Sequence, residues 1–371
     1  MSEAKSQQNS PEEAKKSSEK KSKGAPPAKK KAKPGKAEGL PSLVLTSAPH
    51  FSTEKNIEKI MYSVVIALIP ACIAAVYFFG LAALKILILS VIGCLFFEAV
   101  LLKFFQPEID IKKTVFDGSA FVTGILLALN LSAASPAWLV ITGAFVAMFL
   151  GKHVWGGLGQ NPFNPVLVSR VFLLISFPKY MSQWISARGD VVADAASYAT
   201  PLTVLQIQGV EQAQSLSKLQ LFLGACGGCI GETSVLALLI GGIFLLAMGI
   251  IRWHIPVSYI LTVLIFTAIL RLVNPSTYAD PVFHLLTGGL FIGAIFMATD
   301  MVTSPITGRG MLIFGAGCGL LTVVIRVFGN YPEGVSFAIL IMNGFTPLID
   351  RYIKGPRYGI SRKLISSESG A

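Results

Sequence analysis

Long apolar runs set the strongest constraint on how this chain can fold. The run IMYSVVIALIPACIAAVYFFG at 60–80 is one of several that reach the roughly 20 residues an α-helix needs to cross a bilayer. Inside lipid every backbone N–H and C=O must be paired within the protein, so such runs cross as helices. Only 14% of the 371 residues are charged, against about 25% in ordinary soluble domains. The sequence therefore predicts an all-α polytopic membrane protein.

Ten candidate spans follow one another along the chain. They are 60–80, 83–105, 117–132, 136–154, 164–178, 233–251, 255–272, 284–300, 311–328 and 334–350. An apolar piece at 219–231 is too short to cross and is predicted to be a half-helix. Thr123-Gly124 in the third span and Thr287-Gly288 in the eighth occupy equivalent positions in two sets of five. A five-span unit that is repeated must re-enter with the opposite orientation, so this short match favours two inverted five-helix repeats.

Positive charge predicts the orientation of these spans. The first 40 residues hold eleven lysines and five acids with almost no large apolar side chain. We therefore expect 1–45 to be a disordered tail beside an anionic membrane surface. Because the tail has no interleaved aromatic residue and no nucleic-acid motif, no nucleic-acid partner is predicted. Lysine and arginine also concentrate in the connections after even-numbered spans, at Lys112, Lys113, Lys152, Arg252 and Arg309. Both termini are predicted to be cytoplasmic.

This alternation divides the chain into five parts. After the basic tail, 46–178 is predicted to be the first transmembrane half, and 179–218 a polar external loop on a periplasm-like side. The second transmembrane half covers 219–351, and 352–371 forms a cytoplasmic C-terminal tail.

Acidic residues within or beside the predicted spans are candidates for function. These are Glu98, Asp117, Glu232 and Asp300. A carboxylate in a span is costly, and its usual roles are an ion path, a proton site or an internal ion pair. Asp300 opens a loop dense in hydroxyl side chains, and oxygen-rich backbone of this kind suits Na⁺. Asp300 and Glu98 are therefore candidates for a Na⁺ path, with helix capping as the alternative for Asp117 and Asp300.

Two glycine-rich segments have a composition that lets the backbone come close to a ligand or to a neighbouring helix. The loop 151–165 carries four glycines and two Asn-Pro steps, at Asn161 and Asn164, which give a turn-rich backbone that can approach a ligand closely. Cys226 and Cys229 form a C-x-x-C. Since no second pair completes four thiolates, packing is the main interpretation, and half of a metal or cluster site shared with another subunit is the alternative.

Seven motifs stand in a fixed order along the chain. They are DGSA with VTG (117–124), GGLGQNPFNP (156–165), ATPL (199–202), CIGETS (229–234), HLL with GG (284–289), FMATDMVTSPITGRG (296–310) and YPEGVSFAILIMN (331–343). In this series the stretch from Thr46 to Asp350 resembles the RnfD/NqrB family. These are flavin-carrying membrane subunits of Rnf complexes and of Na⁺-translocating NADH:quinone oxidoreductases. The short start before the first span is most like the RnfD members, which belong to Rnf complexes.

The resemblance implies a covalently bound flavin. In that family the Thr of an Asp-x-x-Ser-Gly-Ala-Thr motif is esterified to the phosphate of FMN. Asp194, Ser197, Ala199 and Thr200 match the motif, so the resemblance implies FMN on Thr200, in an accessible and extended segment. Tyr198 departs from it, because it stands where the family has Gly.

The resemblance also implies a cofactor, partners and a cell location. A second, non-covalent flavin, riboflavin, is expected lower in the subunit, with the loops 161–165 and 300–307 as candidate walls or ion ligands. The implied partners are the other Rnf subunits, especially the periplasmic flavin subunit and the small membrane subunits, together with a flavin transferase and membrane lipid. The implied location is a bacterial inner membrane, with the Thr200 loop in the periplasm.

The implied activity is electron transfer between ferredoxin and NAD⁺, coupled to Na⁺ or H⁺ translocation. The chain holds no dinucleotide-binding fingerprint, so catalysis would belong to the whole complex. Three alternatives remain at this point. The chain could be the NqrB-like subunit of a quinone-reducing complex, a flavin-free channel or transporter, or a structural anchor, which would need neither Gly-Asn-Pro loops nor buried acids.

Overall fold

The computed structural model describes residues 56–108, 110–185, 199–214, 216–224, 226–232, 234–329, 331 and 333–355. The basic tail, all but the first four residues of the C-terminal tail, and the motif residues Asp194, Ser197 and Tyr198 lie outside this part of the chain. Across the described residues the regular secondary structure is helical. The prediction of an all-α membrane protein is confirmed.

Sixteen α-helices succeed one another in the described part of the chain. They are α1 (Ile57–Phe79), α2 (Leu81–Phe105), α3 (Ile111–Val115), α4 (Ser119–Leu129), α5 (Ala137–Phe149), α6 (Pro165–Ser176), α7 (Pro178–Met181), α8 (Pro201–Gln208), α9 (Val210–Gln214), α10 (Lys218–Leu223), α11 (Val235–Ala247), α12 (His254–Val273), α13 (Pro281–Leu286), α14 (Leu290–Ile292), α15 (Gly308–Phe328) and α16 (Val335–Tyr352). A 3₁₀ turn, His153–Trp155, extends α5, and a π-helix, Gly293–Met297, extends α14.

Each predicted span coincides with helical structure. Five segments in the described residues are long and apolar enough to cross a membrane: Ile57–Phe79, Leu81–Phe105, Ala137–Trp155, His254–Val273 and Gly308–Phe328. The third and eighth spans are not continuous helices of full length. The third is helical only over α4, and the eighth breaks at Thr287–Gly289 between α13 and α14. The count of ten crossings therefore remains a prediction.

The two sets of five helices share one packing pattern. In the first, α2 contacts α4 and α5, and α5 contacts α6; in the second, α12 contacts α13 and α15, and α15 contacts α16. Two further contacts, α1 with α11 and α6 with α16, join elements at equivalent positions of the two sets. A two-fold relation between the halves gives this pattern, which supports the repeat.

Connections of the same predicted side meet at the same end of the bundle. At one end, called the Asp300 end, Tyr62 Oη donates to Phe116 O at 2.9 Å and Gln106 Nε2 donates to Gly156 O at 2.9 Å. At the other, called the Thr200 end, Ser132 Oγ donates to the carbonyl oxygen of Gln183 at 2.5 Å. The charge pattern predicts this arrangement, in which successive connections lie alternately at one end and at the other.

The half-helix at 219–231 is shorter than predicted. Helix α10 ends at Leu223, because Gly224 adopts a left-handed conformation with φ of 109°. The chain then runs beside the end of α4, where Ile230 N donates to Leu131 O at 2.9 Å and Gly231 N donates to Leu129 O at 2.7 Å. A Cβ on Gly231 would lie 2.6 Å from the Cβ of Leu129, so only glycine allows this approach.

The described part of the predicted external loop at 179–218 contains short helices. Helix α7 covers its start, and α8 and α9 lie in its second part. Leu202 and Ala213 from these helices and Leu221 of α10 form a small second core with Ala279 and Phe283 from the segment before and within α13. Apolar burial of this kind holds the segment against the bundle.

Candidate functional site

A large cavity lies at the Thr200 end of the bundle. Its volume is about 440 Å³, and we call it the Thr200 cavity. Its walls include Ala199, Thr200, Thr203, Trp184, Tyr331, Glu333 and Phe337. Trp184, Tyr331 and Phe337 supply aromatic surface, and Glu333 supplies a carboxylate, so the cavity offers the mixture of apolar area and few polar groups typical of cofactor sites.

Thr200 is positioned by the helix that follows it. It is the N-cap of α8, with Pro201 at the first helical position, and its Oγ1 accepts from Thr203 N at 3.2 Å. The Thr200 and Thr203 hydroxyls lie 2.8 Å apart. A group esterified to Thr200 Oγ1 would therefore stand at the positive end of an eight-residue helix, which favours an anion.

Thr200 has the expected backbone conformation and an unexpected burial. Its φ of −63° and ψ of 154° are extended, as the resemblance implies. Its exposed fraction is only 7%, whereas the sequence predicts an accessible residue. The burial follows from Leu202, close after it in α8, which packs into the small second core. Ala199, the preceding motif residue, lines the Thr200 cavity.

A buried ionic cluster, called the Arg170 cluster, adjoins this cavity through Glu333. Arg170, from the middle of α6, pairs with Glu333 and with Glu232 Oε1 at 3.4 Å. Its guanidinium also donates to Asn130 and lies 3.1 Å from the Cys229 sulfur. The Sγ and carboxylate oxygens of Cys229, Glu232 and Glu333 lie within 4.8 Å of one another, with the guanidinium as their cation. Cys229 thus faces a polar cluster, in addition to the packing role that its sequence context predicts.

The helix break between α13 and α14 is closed by a second buried arginine. Arg326 of α15 donates to the carbonyl oxygens of His284 at 2.7 Å, Thr287 at 3.1 Å and Gly288 at 2.8 Å, and through Nε to Glu333 O at 3.1 Å. These carbonyls have lost their helical partners at the break, and a buried carbonyl without a donor is costly. Arg326 therefore stabilises a break that lipid alone would not tolerate.

A second cavity, called the Asp300 cavity, opens at the opposite end. Its volume is about 120 Å³. Polar groups in its walls are Ser119, Thr123, Lys152, Asn161, Asn164, Thr299 and Asp300, set among apolar side chains such as Leu126 and Phe296. Asn161 and Asn164 are each 4% exposed. Asn164 also caps α6, accepting from Val166 N at 3.0 Å, and donates to Met297 O at 3.3 Å.

Asp300 is held by the turn that it begins. Its carboxylate accepts from Thr303 Oγ1 at 3.2 Å and from Val302 N at 3.5 Å. These are long contacts, and the residue keeps a place in the cavity wall. The sequence interpretations were a helix cap and a cation ligand. The structure gives Asp300 contacts with the turn that follows it, and its Na⁺ role stays a prediction.

Glu98 belongs to a different arrangement. It is fully buried in α2, with Lys152 Nζ at 2.7 Å and His153 Nε2 at 2.9 Å. Lys152 also donates to Ser119 Oγ at 2.8 Å, and that hydroxyl donates to Asp117 at 2.6 Å. Of the roles open to a carboxylate in a span, this geometry favours the internal ion pair.

Of the predicted site residues in the described part of the chain, all but Glu98 line one of the two cavities. Asn161, Asn164 and Asp300 meet in one cavity, and Ala199 and Thr200 in the other. The ionic cluster around Arg170 connects the two cavities, because its Glu333 lines the Thr200 cavity. Leu126 lines the Asp300 cavity, and Asn130, one helical turn further, contacts the Arg170 cluster.

Three residues of this site were missed by the sequence interpretation. Arg170 and Arg326 are lone arginines inside or at the end of apolar spans, and an intramembrane cation is as strong a signal as an intramembrane acid. Glu333 stood out only as part of a longer motif. The position of these residues across three segments could not be known from their spacing.

These features define a polytopic helical membrane protein with a broken helix between α13 and α14 and a cavity at each end. The chain belongs to the NQR2, RnfD, RnfE family, whose model matches residues 44–359. The resemblance inferred from the seven motifs is confirmed.

Relatives named for a function are similar to this chain over most of its length. It is 44% identical to the D subunit of the Na⁺-translocating ferredoxin:NAD⁺ oxidoreductase complex of Acetobacterium woodii, over 86% of this chain and 96% of the relative. It is 42% identical to the D subunit of the proton-translocating ferredoxin:NAD⁺ oxidoreductase complex of Clostridium ljungdahlii, over 86% and 96%. It is 40% identical to the D subunit of the ion-translocating oxidoreductase complex of Stutzerimonas stutzeri, over 82% and 92%.

Proposed function

We propose that this protein is the RnfD component of an Rnf-type complex in a bacterial inner membrane. In this role it carries FMN covalently on Thr200 and passes electrons between ferredoxin and NAD⁺, coupled to translocation of Na⁺ or H⁺. The names of the relatives support the complex and the coupling. They also favour the ferredoxin-linked complex over the quinone-reducing alternative.

The identity of the ion does not follow from these relatives. One is named for Na⁺ and another for protons, at 44% and 42% identity, so overall similarity does not separate the two. Asp300, with oxygen-bearing neighbours in the wall of its cavity, is the residue we propose for a Na⁺ path. Glu98 is a weaker candidate, because Lys152 and His153 already satisfy its carboxylate.

One observation carries the flavin proposal: Thr200 is an N-cap in the wall of a cavity that three aromatic side chains also line. A phosphoester on its Oγ1 keeps one negative charge, which α8 stabilises through its N-terminus and the Thr203 N–H. Trp184, Tyr331 and Phe337 provide the apolar aromatic surface that a planar ring system requires. FMN bound in this way supplies reversible electron uptake, and the protein tunes it through these surroundings.

We also propose the Asp300 cavity for the second flavin, riboflavin. Riboflavin carries no phosphate, and the cavity offers the amides of Asn161 and Asn164 together with hydroxyls and apolar walls. These groups suit a neutral, hydrogen-bonding ring and sugar-alcohol chain. Lys152 also lines the cavity, but its ammonium group pairs with the carboxylate of Glu98.

The orientation proposed from the charge pattern places the two ends on different sides. Both termini and the Asp300 end face the cytoplasm, and the Thr200 end faces the periplasm. A periplasmic flavin subunit, the small membrane subunits and a flavin transferase are the proposed partners, with lipid around the apolar helix faces.

A pair of variants at adjacent hydroxyls tests the attachment residue. Thr200→Val should abolish the covalent flavin fluorescence of the denatured subunit while leaving it inserted and assembled. The matched Thr203→Val removes a hydroxyl 2.8 Å away and should retain the flavin. Mass spectrometry of the peptide spanning 190–218 should show the mass of FMN less water on Thr200. Wild-type protein without covalent fluorescence would remove the flavin proposal and favour the flavin-free transporter.

A further inference from the structure

We propose that the Glu333 carboxylate takes up a proton when an electron reaches the flavin on Thr200, an inference that rests on the attachment proposed above. Glu333 would then compensate the charge of the electron inside the protein. Its position, its neighbours and the shared cavity support this role.

Glu333 and Thr200 face the same space. Both line the Thr200 cavity, and both also line a smaller neighbouring pocket between α8, the 226–232 segment and the helix break. The Glu333 side chain keeps 18% of its surface exposed, so a proton can reach it from the cavity. Among the described residues that line the Thr200 cavity, Glu333 is the only acid.

The groups that face Glu333 carry more acid than base. Arg170 pairs with it from α6, and from the 226–232 segment Glu232 shares that same guanidinium, while the Cys229 sulfur lies 3.8 Å from Glu333 Oε1. Arg326, from α15, donates its hydrogen bonds to backbone carbonyl oxygens and not to this carboxylate.

The remaining elements around this carboxylate supply no compensating charge among the described residues. Tyr331 is a neutral neighbour, and the described α8 wall offers only Thr200, Thr203 and Gln206. One guanidinium therefore serves two carboxylates, and a further negative charge in the cavity makes protonation the least costly response.

The step is balanced with one electron and one proton. The electron comes from a one-electron carrier in a partner subunit of the complex, and the proton comes from water on the open side of the cavity. An O–H bond of hydronium at the open side of the cavity breaks as an O–H bond forms on Glu333. When the electron leaves for the next carrier, the O–H bond on Glu333 breaks and the proton returns to water.

Electrostatics gives the size of the coupling. A unit negative charge about 6 Å from a carboxylate, at an effective dielectric constant of about 20, raises its proton affinity about a hundredfold. Linkage is reciprocal, so protonation of Glu333 raises the electron affinity of the site by the same factor. For a one-electron couple a hundredfold corresponds to a shift of about 120 mV in midpoint potential.

The test is a spectroelectrochemical titration of the covalent flavin in the purified complex at several pH values. In wild type the midpoint potential of the covalent flavin should fall by about 120 mV more over the measured pH range than it does in Glu333→Gln. Glu211→Gln, an exposed α9 residue at the same end, should behave as wild type. Glu333→Asp, which keeps a carboxylate, should restore the pH dependence. Covalent fluorescence is recorded first for each variant.

The outcomes separate the two proposals. Wild type without covalent fluorescence refutes the attachment, and this inference with it. Flavin retained in Glu333→Gln with an unchanged pH dependence overturns the role of Glu333 and leaves the attachment intact. If Glu333→Gln does not assemble, infrared difference spectra of wild type decide. A protonated-carboxyl band that appears on reduction supports the inference, and its absence overturns it.

Discussion

The ion pair between Glu98 and Lys152 leads to a quantitative prediction. Glu98 is fully buried, and Lys152 Nζ lies 2.7 Å from its Oε1. At an effective dielectric constant of about 20 this separation corresponds to an attraction of about 6 kcal/mol, most of which offsets the cost of removing both charges from water. Removing one partner leaves the charge of the other residue buried without a counter-charge. Lys152→Met and Glu98→Gln should therefore each destabilise the protein by about 3–5 kcal/mol.

A double-mutant cycle measures the pair itself. The double variant Glu98→Gln with Lys152→Met should cost less than the sum of the two single changes, by about 1–3 kcal/mol, because no orphaned charge remains. Equilibrium unfolding of wild type and the three variants in mixed detergent micelles gives the three changes in the free energy of unfolding. Repeating the measurement with and without Na⁺ tests the ion-path alternative. Additive effects would refute the internal ion pair, and stabilisation of wild type by Na⁺ that Glu98→Gln abolishes would identify Glu98 as a cation ligand instead.

Two further substitutions test the helix break and the Asp300 cavity. Gly288→Ala places a Cβ 2.3 Å from a side chain of α8 at a φ of 74°, and should destabilise the protein by about 1–3 kcal/mol and lower the covalent flavin content. Gly344→Ala, whose Cβ finds its nearest atom at 3.7 Å, is the matched helical control and should melt as wild type does; equal melting of both would contradict the steric argument. Asp300→Asn should slow cation-coupled turnover in proteoliposomes more than it lowers flavin content, and unchanged ion transport would leave Asp300 as a turn residue.

Much of the fold could be predicted because lipid restricts the chain to few solutions. The apolar runs predicted α1 and α2 to within three residues at each end. The breaks in the third and eighth spans were harder, since glycine in an apolar run suits close helix packing as well as a break. The break at Gly288 depends on Arg326, some forty residues away in sequence, and local sequence carries no sign of that pairing.

The site was predicted unevenly for a related reason. Asn164 was singled out by its Asn-Pro turn and Thr200 by the resemblance of its motif, and the structure adds that each of them is the N-cap of a helix. The Arg170 cluster joins α6, the 226–232 segment and the chain just before α16, so its members acquire a common role only after three distant segments pack together. Burial of Thr200 was also unpredictable, because it depends on where Leu202 finds an apolar partner.

The position of the Arg170 cluster has an electrical consequence. Asn130 of α4 contacts the cluster and lies four residues after Leu126, which lines the Asp300 cavity, while Glu333 of the cluster lines the Thr200 cavity. An open cavity carries nearly the potential of the compartment that it faces, so the transmembrane voltage falls over the part of the protein between the two cavities and not evenly over the roughly 30 Å of the hydrocarbon layer. A unit charge that moves from one cavity to the other does electrical work of about 2.3 kcal/mol per 100 mV. The Arg170 cluster therefore lies within the voltage drop.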